Sequence, residues 1–542
     1  MSVAVTPSHS TGGAGSSGAG EDLAGFAAKL VAKDSTLWGA EAQPEAEQRL
    51  GWLDLPESSL ALLPQLRQIH ARCVAAGLDH VVLAGMGGSS LAPEVITRTA
   101  GAPLTILDST DPHQVGAALA DRLDRTVLVV ASKSGGTVET DSHRRAYEQA
   151  FRDVGLTDDE IAQRIVIVTD PGSPLQAEAT KLGYTIVLAD PTVGGRYSAL
   201  SAFGLTPSLL AGADVERLLA DARVLAEGFA QDGNPGMVLG SALGTAATSG
   251  QDKLVLADSG SGIVGFGDWA EQLVAESTGK NGVGILPVVV EGTDAPGFVD
   301  AGADSCRVVV GPRVEGIDAT SVTGSLGAQF LLWEYATVVA GRLLGINPFD
   351  QPNVAESKAN TNKILDESGD GDLPEGEPTL VEGDIAVYGD LAALGSPTDV
   401  AGVLAGLVGL VGDDDAKGYL AVMAYLDRGA EASAAGLRER LAAQAAGRPV
   451  TFGWAPRFLH STGQLHKGGP QTGVFLQITG AVERDVDVPG RPFTFGRLQM
   501  AQALGDQRAL QERGRHVVRL HLTDRSRGLA QLLTAAAEAS AA

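Results

Sequence analysis

The sequence has few of the residues from which disulfide frameworks and cysteine-based metal sites are built. Its 542 residues include only two cysteines, and aromatic residues make up 5% of the chain. Two distant thiols supply neither a disulfide framework nor the ligand spacing of a metal site, and such low usage is typical of a reducing compartment. We therefore expect a cytoplasmic protein without a metal, in which Cys73 and Cys306 are small buried apolar residues.

Positive charge is also scarce, because 40 Lys and Arg residues face 66 Asp and Glu residues and the formal net charge is −26. Such a surface repels nucleic-acid backbones and anionic lipids, so we expect no nucleic acid and no membrane as partners. No stretch approaches the ~18 consecutive apolar residues of a membrane span. An anionic ligand would need N–H donors and a few cations concentrated locally, which directs attention to glycine-rich turns with Lys or Arg.

The order of apolar and polar segments predicts a tail and three further regions. Residues 1–20 are rich in Gly, Ser and Ala, which indicates a disordered tail and not a signal peptide. Residues 21–230 begin with amphipathic helices, and apolar runs then alternate with helices, as in a three-layer α/β/α sandwich with a mostly parallel sheet. Residues 231–365 repeat this plan. After a loop rich in Gly, Asp, Glu and Pro, residues 366–542 are expected to form an α/β C-terminal region that packs on the active site.

The segment SKSGGT at 132–137 follows an apolar run and opens a helical one. Ser132, Ser134 and Thr137 supply hydroxyl groups, the two glycines let backbone N–H groups turn inward, and the helix N-terminus adds partial positive charge. This combination favours a phosphate-binding loop. The alternative is an ordinary strand-to-helix turn with a Ser or Thr cap.

Four other segments carry residues that suit chemistry but leave alternatives open. GMGGSSL (85–91) places Ser89 on a loop that is either a tight turn or a ligand-binding loop, and its spacing is not that of a dinucleotide-binding motif. Arg196 in GGRYS is either a solvated charge or a group that stabilises an oxyanion. Glu276, near the end of a helix, is either a surface residue or a general base. Lys358 in NPFDQPNVAESK would be a surface lysine by default.

Taken together, GMGGS, SKSGGT, GGRYS, AESTGK and NPFDQPNVAESK resemble, in order and spacing, the motifs of glucose-6-phosphate isomerases. The resemblance covers roughly residues 80–365 and is greatest to a divergent bacterial branch related to transaldolase fusions. It implies two sugar-isomerase (SIS) domains and a hexose phosphate as the small-molecule substrate. It also implies reversible isomerisation of glucose 6-phosphate and fructose 6-phosphate through a cis-enediol, in glycolysis and gluconeogenesis, with neither metal nor nucleotide cofactor.

The resemblance also implies a role for each matching residue. The phosphate would be bound by Ser132, Lys133, Ser134, Thr137 and Gln351, and the sugar would be contacted by Gly88 and Ser89. Arg196, with Gly195, would stabilise the charge of the enediolate. Glu276 would move the proton between C1 and C2, and Lys358 would lie at the ring-opening end of the site.

One family feature is missing from the expected place. The family has a histidine about thirty residues after the catalytic glutamate, whereas the corresponding segment here has none. HSTGQLHKGGP (460–470) offers two histidines on what reads as a polar, glycine-rich loop. We expect the C-terminal region to deliver His466 to the site, with His460 as the second choice. The alternative is that both are structural loop histidines.

Two other functions remain open at this point. One is a bifunctional phosphoglucose/phosphomannose isomerase, and the other is a non-catalytic SIS-type protein that binds a sugar phosphate. The combination of Glu276, Lys358 and Arg196 argues against the second, because a sensor needs only the phosphate-binding loop. The family is typically a homodimer, although the C-terminal region could instead complete the site within one subunit.

Overall fold

The structure, a computed structural model, describes residues 3–8, 23–369, 371–412 and 418–538. Three mostly parallel sheets organise these residues, and helices cover the sheets. In these ranges no helix is both long and apolar enough to cross a membrane.

Strand β1 (Ala4–Thr6) lies within the segment that was predicted to be a disordered tail. It pairs antiparallel with residues Thr320–Thr323, and Val3 and Val5 pack against the main core. A sheet edge offers unpaired N–H and C=O groups, so three residues with suitable apolar neighbours can add a strand there. The prediction for 1–20 is therefore wrong at residues 4–6, and residues 1–2 and 9–20 lie outside the described part.

The first α/β domain contains a five-stranded parallel sheet, as the alternation of apolar runs with helices predicts. Its elements are α1 (Phe26–Val31), α2 (Gln43–Arg49), α3 (Leu55–Ser58), α4 (Leu63–Ala75), β2 (His80–Gly85), α5 (Leu91–Ala100), β3 (Thr105–Leu107), α6 (Pro112–Ala120), β4 (Thr126–Ala131), α7 (Val138–Asp153), α8 (Asp158–Arg164), β5 (Ile165–Thr169), α9 (Pro174–Leu182), β6 (Thr185–Leu188) and α10 (Ala202–Leu210), which packs on α4, α5 and this sheet. The strand order is β3-β2-β4-β5-β6. GMGGSS follows β2 and SKSGGT follows β4, so both loops lie at the carboxyl edge of the sheet, where ligands of such folds bind.

The second domain confirms the predicted sandwich and adds a strand that was not predicted. Its elements are α11 (Val215–Ala226), α12 (Pro235–Thr248), β7 (Lys253–Asp258), α13 (Phe266–Thr278), β8 (Leu286–Val289), β9 (Ser305–Val310), β10 (Thr320–Thr323), α14 (Leu326–Leu344) and α15 (Val354–Ser368). The strand order is β1-β10-β9-β7-β8, with β1 the antiparallel member. β10 has the sequence TSVT, which is too short and polar to predict a buried strand.

The C-terminal region is α/β, as expected, but it holds a complete sheet where the sequence indicated a single strand. Its elements are β11 (Leu380–Glu382), β12 (Ile385–Tyr388), α16 (Val400–Gly412), β13 (Tyr419–Tyr425), α17 (Gly436–Ala442), β14 (Val450–Trp454), α18 (Gly463–Gly468), β15 (Gly473–Gly480), α19 (Phe495–Glu512), β16 (His516–Leu522) and α20 (Arg525–Glu538). The order is β11-β12-β16-β15-β13-β14, and the last four strands are parallel. This third domain has an apolar core of its own.

Helices α12 and α14 approach each other closely because α12 has a stripe of glycines. Gly236, Gly240 and Gly244 recur every four residues and therefore lie on one face of the helix. A Cβ atom on Gly240 would lie 2.5 Å from the Ala336 carbonyl oxygen and 2.5 Å from the Val339 Cβ. Backbone and a β-branched side chain cannot move aside cheaply, so this contact requires glycine.

We expect Gly240→Ala to lower the free energy of unfolding by about 1–3 kcal/mol, the usual cost of overpacking a core. Gly409→Ala is the matched control, because Gly409 is also helical but a Cβ there would meet no atom within 4 Å. That control should be neutral or should stabilise by up to ~1 kcal/mol through helix propensity. Urea unfolding followed by circular dichroism measures both, and equal stability of the two variants would contradict the close helix contact.

Candidate active site

Loops from all three domains meet at the carboxyl edge of the first sheet. A turn at Gly87–Ser89 lies against a second turn at Gly195–Tyr197, and a Cβ on Gly88 would lie only 2.0 Å from the Gly195 carbonyl oxygen. The turn Arg457–His460 of the third domain reaches the same place, since a Cβ on Gly87 would lie 2.9 Å from the His460 carbonyl oxygen. Glycines thus allow these segments to converge.

Arg196 is buried, and its five N–H donors all find acceptors in the protein. Its Nη1 donates to Glu276 Oε1 at 3.2 Å and to Gln351 Oε1 at 2.9 Å. Its Nη2 donates to the Pro348 and Asp350 carbonyl oxygens, and its Nε donates to Ser277 Oγ. A planar guanidinium with fixed donors therefore joins α13 to the loop that precedes α15.

Glu276 lies in the last turn of α13, and its side chain is 12% exposed. Oε1 accepts from Arg196, and Oε2 accepts from Gln272 Nε2 at 3.1 Å. The same Gln272 amide donates to the His460 carbonyl oxygen at 2.7 Å. Each carboxylate oxygen thus has one protein donor, which fixes the orientation of the carboxylate and leaves lone pairs for a further contact.

The imidazole of His460 pairs with the buried carboxylate of Glu139 at the start of α7. His460 Nε2 lies 3.0 Å from Glu139 Oε1, and Gln502 Nε2 donates to the same oxygen at 2.8 Å. Burial raises the pKa of the Glu139 carboxyl, but the charge and hydrogen bond of His460, together with the charge of Lys358, outweigh it and lower the pKa to about 2. Glu139 is therefore ionised at neutral pH and fixes the imidazole by its Nε2.

A small cavity adjoins this pair. Lys358, on α15, lines it, and the Lys358 ammonium has no ion pair or hydrogen bond within the described residues. The cavity therefore joins the phosphate-binding loop predicted from the sequence to an imidazole, a carboxylate and an unpaired cation. The other polar or glycine residues in its lining are Gly136, Thr137, Glu139, Ser357, Thr361, Asn362, His460 and Gln502.

The conformation of the loop at 132–137 is stabilised by hydrogen bonds from its own serine hydroxyl groups. Ser132 Oγ accepts from the Gly135 N–H at 3.2 Å and donates to Thr137 Oγ1 at 3.2 Å, and Ser134 Oγ accepts from the Gly136 N–H at 3.3 Å. Gly135 has φ +72°, and a Cβ there would lie 2.7 Å from Leu175 Cβ. Thr137 is the N-cap of the 16-residue helix α7 but its side chain makes no capping bond, so first-turn N–H groups stay available.

Lys133 lies beside this loop but is already paired elsewhere. Its ammonium is 2.5 Å from Asp170 Oδ2 and 3.3 Å from the Pro191 carbonyl oxygen, and it does not line the cavity. Burial raises the pKa of Asp170 although the Lys133 charge opposes this. The structure therefore groups Ser132, Ser134 and Thr137 but does not bring the Lys133 ammonium to them.

His466 occupies a different environment from the one expected for it. Its segment is not a polar loop but a buried turn followed by α18. The His466 ring lies 5.1 Å from the Phe475 ring and 6.0 Å from the Tyr419 ring. Burial, then the neighbouring Lys467 and Arg515 charges, hold its pKa well below the ordinary value. Contrary to the order of preference taken from the sequence, the structure brings His460 and not His466 to the cavity, and the role of either histidine stays a prediction.

Gln464, in the same segment, joins the helices that carry Glu276 and Lys358. It is fully buried; its Oε1 accepts from the Asn353 N–H at 2.8 Å and its Nε2 donates to the Gly279 carbonyl oxygen at 2.9 Å. Asn353 precedes α15 and Gly279 ends α13, so one amide of the third domain fixes the relative position of the two helices.

Comparison with known proteins supports the sequence resemblance. The family model described as phosphoglucose isomerase matches residues 71–280. The probable glucose-6-phosphate isomerase of Haloarcula marismortui is 27% identical over 354 residues, 54% of this chain and 79% of that protein. The glucose-6-phosphate isomerase of Thermosynechococcus vestitus is 32% identical over 274 residues, 45% of this chain and 51% of that protein.

The similarity extends over part of this chain and part of each relative. The chain spans about half the length of several curated relatives it matches and about four fifths of others. The crystal structure of a glucose-6-phosphate isomerase from Chlamydia trachomatis has a TM-score of 0.50 and 19% identity, and the match covers 62% of this chain and 76% of that one. At this identity the match supports the shared SIS-type fold alone.

Three residues of the candidate site were not found from the sequence. Glu139 follows SKSGGT by two positions, and an acidic residue in the first turn of the helix could have been noticed there. Gln272 lies one helical turn before Glu276 and therefore on the same face. Gln502 had no local sign at all, because its importance arises only from the contact between the third domain and the first.

The low pKa of Glu139 makes a testable prediction about stability. A carboxyl with a native pKa of about 2 and an ordinary value of 4.5 contributes stability that is complete above pH 4.5 and is lost as the pH falls towards 2. Glu139→Gln should therefore unfold more easily than the parent at pH 7, by up to about 3 kcal/mol, with a difference that shrinks on acidification. Urea midpoints at pH 7 and pH 3 measure it. Glu47→Gln, at an exposed site, is the control and should show no such trend.

Proposed function

We propose that this chain interconverts glucose 6-phosphate and fructose 6-phosphate through a cis-enediol. Two linked carboxylate-centred groups near the SKSGGT loop carry the proposal. Glu139 pairs with His460 in the cavity beside this loop, and Glu276 pairs with Arg196. The Gln272 amide connects the two groups, because it donates to the Glu276 carboxylate and to the His460 carbonyl oxygen. A protein that only senses a sugar phosphate would need the loop but neither acid–base pair. Oligomeric state and cytoplasmic location stay predictions, although every group used below comes from one chain.

The 6-phosphate is proposed to bind at the N-terminus of α7. Ser134 and Thr137 offer hydroxyls, and the first N–H groups of α7 point the positive end of a long helix at the same place. Ser132 stabilises the loop and is not assigned to the phosphate, because its hydroxyl is already bonded to Gly135 and Thr137. Lys133 pairs with Asp170, and Gln351 accepts a hydrogen bond from Arg196. We therefore propose that both residues stabilise the arrangement of the site and do not bind the phosphate directly.

Ring opening is proposed for His460 with Lys358. Glu139 anchors His460 through Nε2, which leaves Nδ1 to exchange a proton with the sugar. When the ring carbon–oxygen bond of glucose 6-phosphate breaks, the hydroxyl on C1 loses a proton and the ring oxygen gains one, so the imidazole ends unchanged. The unpaired Lys358 ammonium in the same cavity can stabilise negative charge on the leaving ring oxygen.

Isomerisation of the open chain is proposed for Glu276. Its carboxylate removes the proton from C2 of the aldose to give the cis-enediol and returns the proton to C1, while a hydroxyl proton moves from O2 to O1. Arg196 is committed to protein acceptors, so its task is to orient Glu276 and to place a buried positive charge beside the developing enediolate. Gly88, Ser89 and Gly195 lie in two turns that contact each other, and we propose that they contact the sugar.

We expect Glu276→Gln to bind the substrate but to lose proton transfer, with turnover lower by ~10²-fold or more as for the removal of a general base. The shape and hydrogen-bonding size of the side chain are kept, so the fold should be unchanged. Loss of the C1 proton signal of fructose 6-phosphate in D₂O, with no added metal, reports the step directly. Exchange at the parent rate would rule out Glu276 as the base.

The two histidines are distinguished by a substrate that cannot form a ring. 5-Deoxyfructose 6-phosphate has no O5 hydroxyl to close a furanose, so it needs proton transfer but no ring opening. His460→Ala should slow exchange of fructose 6-phosphate by ~10²-fold while exchange of the 5-deoxy compound stays near the parent rate. His466→Phe, which keeps an aromatic ring in an aromatic environment, should leave both rates within about threefold of the parent. The reverse pattern would restore His466 as the ring-opening residue.

A further inference from the structure

Gln502 on α19 is the only third-domain side chain, apart from His460, that bonds Glu139 among the described residues. Its carboxamide is buried and lines the same cavity as Lys358 and His460. Nε2 donates to Glu139 Oε1 at 2.8 Å, and Oε1 accepts from Thr110 Oγ1 at 2.7 Å. The Thr110 hydroxyl thereby fixes which way the amide points, with its N–H towards the carboxylate.

The two donors share one oxygen of Glu139. Its Oε1 accepts from both Gln502 and His460, and its Oε2 is buried with no hydrogen-bond partner among the described residues. A carboxylate oxygen that is shared between a neutral amide and an imidazole gives less of its charge to the imidazole than an unshared one. Gln502 therefore influences both where the carboxylate lies and how strongly it stabilises the protonated form of His460.

The contact between the domains makes this arrangement rigid. Residues 108–111 follow β3 and are buried against the third domain. Asp108 Oδ2 accepts from Arg457 Nε at 2.6 Å, Thr110 bonds Gln502, and Asp111 Oδ2 lies 2.8 Å from Arg525 Nη2. The turn that carries His460 and the helix that carries Gln502 are thus both attached to one short segment of the first domain.

We propose that Gln502 is a positioning residue for ring opening: it fixes the Glu139 carboxylate so that His460 is anchored by Nε2 and presents Nδ1 to the sugar. This inference rests on the proposed function, in which His460 opens the ring. Gln502 itself does not exchange protons with the substrate.

The effect on pH dependence follows from the charges that face His460. These are Glu139 from α7, Lys358 from α15, Glu276 from α13 through Gln272, and Arg457 in the same turn. Replacing Gln502 by Met removes the competing donor from Glu139 and leaves every one of these charges in place. The Glu139 carboxylate then interacts with the imidazole alone, so we expect the acidic limb of the pH profile of turnover to move to higher pH.

The test compares Gln502→Met with Gln499→Met. Gln499 lies one turn earlier on α19, is also buried, and also bonds the first domain, through Asp111, but it makes no hydrogen bond to Glu139 or His460. With fructose 6-phosphate, the acidic limb of the pH profile of kcat/KM should move to higher pH by roughly half a unit to one unit in Gln502→Met. At the optimum, kcat should fall about threefold to tenfold. Neither change is expected in Gln499→Met.

The same measurements with 5-deoxyfructose 6-phosphate separate positioning from a general structural effect. That substrate needs Glu276 but not His460, so its acidic limb should coincide in the parent, Gln502→Met and Gln499→Met. A shift with both substrates, or with neither, would overturn the role of Gln502. If His460→Ala slowed both substrates alike, the ring-opening role of His460 on which this inference rests would fail, and this outcome is visible without any Gln502 variant.

Discussion

The buried ion pairs of Arg457 with Asp108 and Glu94 are the contact on which the site depends most. Arg457 begins the turn that ends at His460, and its guanidinium is nearly enclosed. Burial raises the pKa of Glu94, but the charges of Arg457 and Arg428 outweigh it and lower the pKa to about 2. Loss of one partner from such a buried pair typically costs about 3–5 kcal/mol because a charge is left without compensation. The third domain is therefore held where His460 meets Glu139.

In a chain with a net charge of −26, the positive charge beside the candidate site comes from a few buried cations. Lys280 donates to the Asn347 and Asp350 carbonyl oxygens and pairs with the Asp350 carboxylate. Burial and the nearby Arg196 charge lower the pKa of Lys280 to about 8. The Asp350 carboxylate therefore compensates one of two adjacent cations. Local pairing thus allows Arg196 and Lys280 to coexist behind the site.

Local patterns in the sequence predicted the parts of the fold that local physics determines. Apolar β-branched runs alternating with helices indicated the strands of the first two sheets, and glycines with hydroxyl residues after β4 indicated the loop at 132–137. Strands β1 and β10 were missed because they exist only through pairing with neighbours. Most strands of the third domain were missed for a related reason: sequences such as YLAVMAY mix small, aromatic and polarizable residues, and their burial on both faces becomes evident only in the sheet.

Only some residues of the candidate site were predicted from the sequence, because the site combines residues of local motifs with residues that lie far apart in the chain. Glu276 and Arg196 occur in recognisable motifs, whereas the pairing of Glu139 with His460 and Gln502 joins residues more than 300 positions apart. His466 was preferred to His460 on sequence context, yet the helical turn of α18 carries its ring into an aromatic core. Acid–base chemistry requires a histidine at a place in space and not at a place in the sequence. A domain that is docked by Arg457 brings a histidine from a distant segment to Glu139, although the segment after Glu276 holds no histidine where the resemblance implies one.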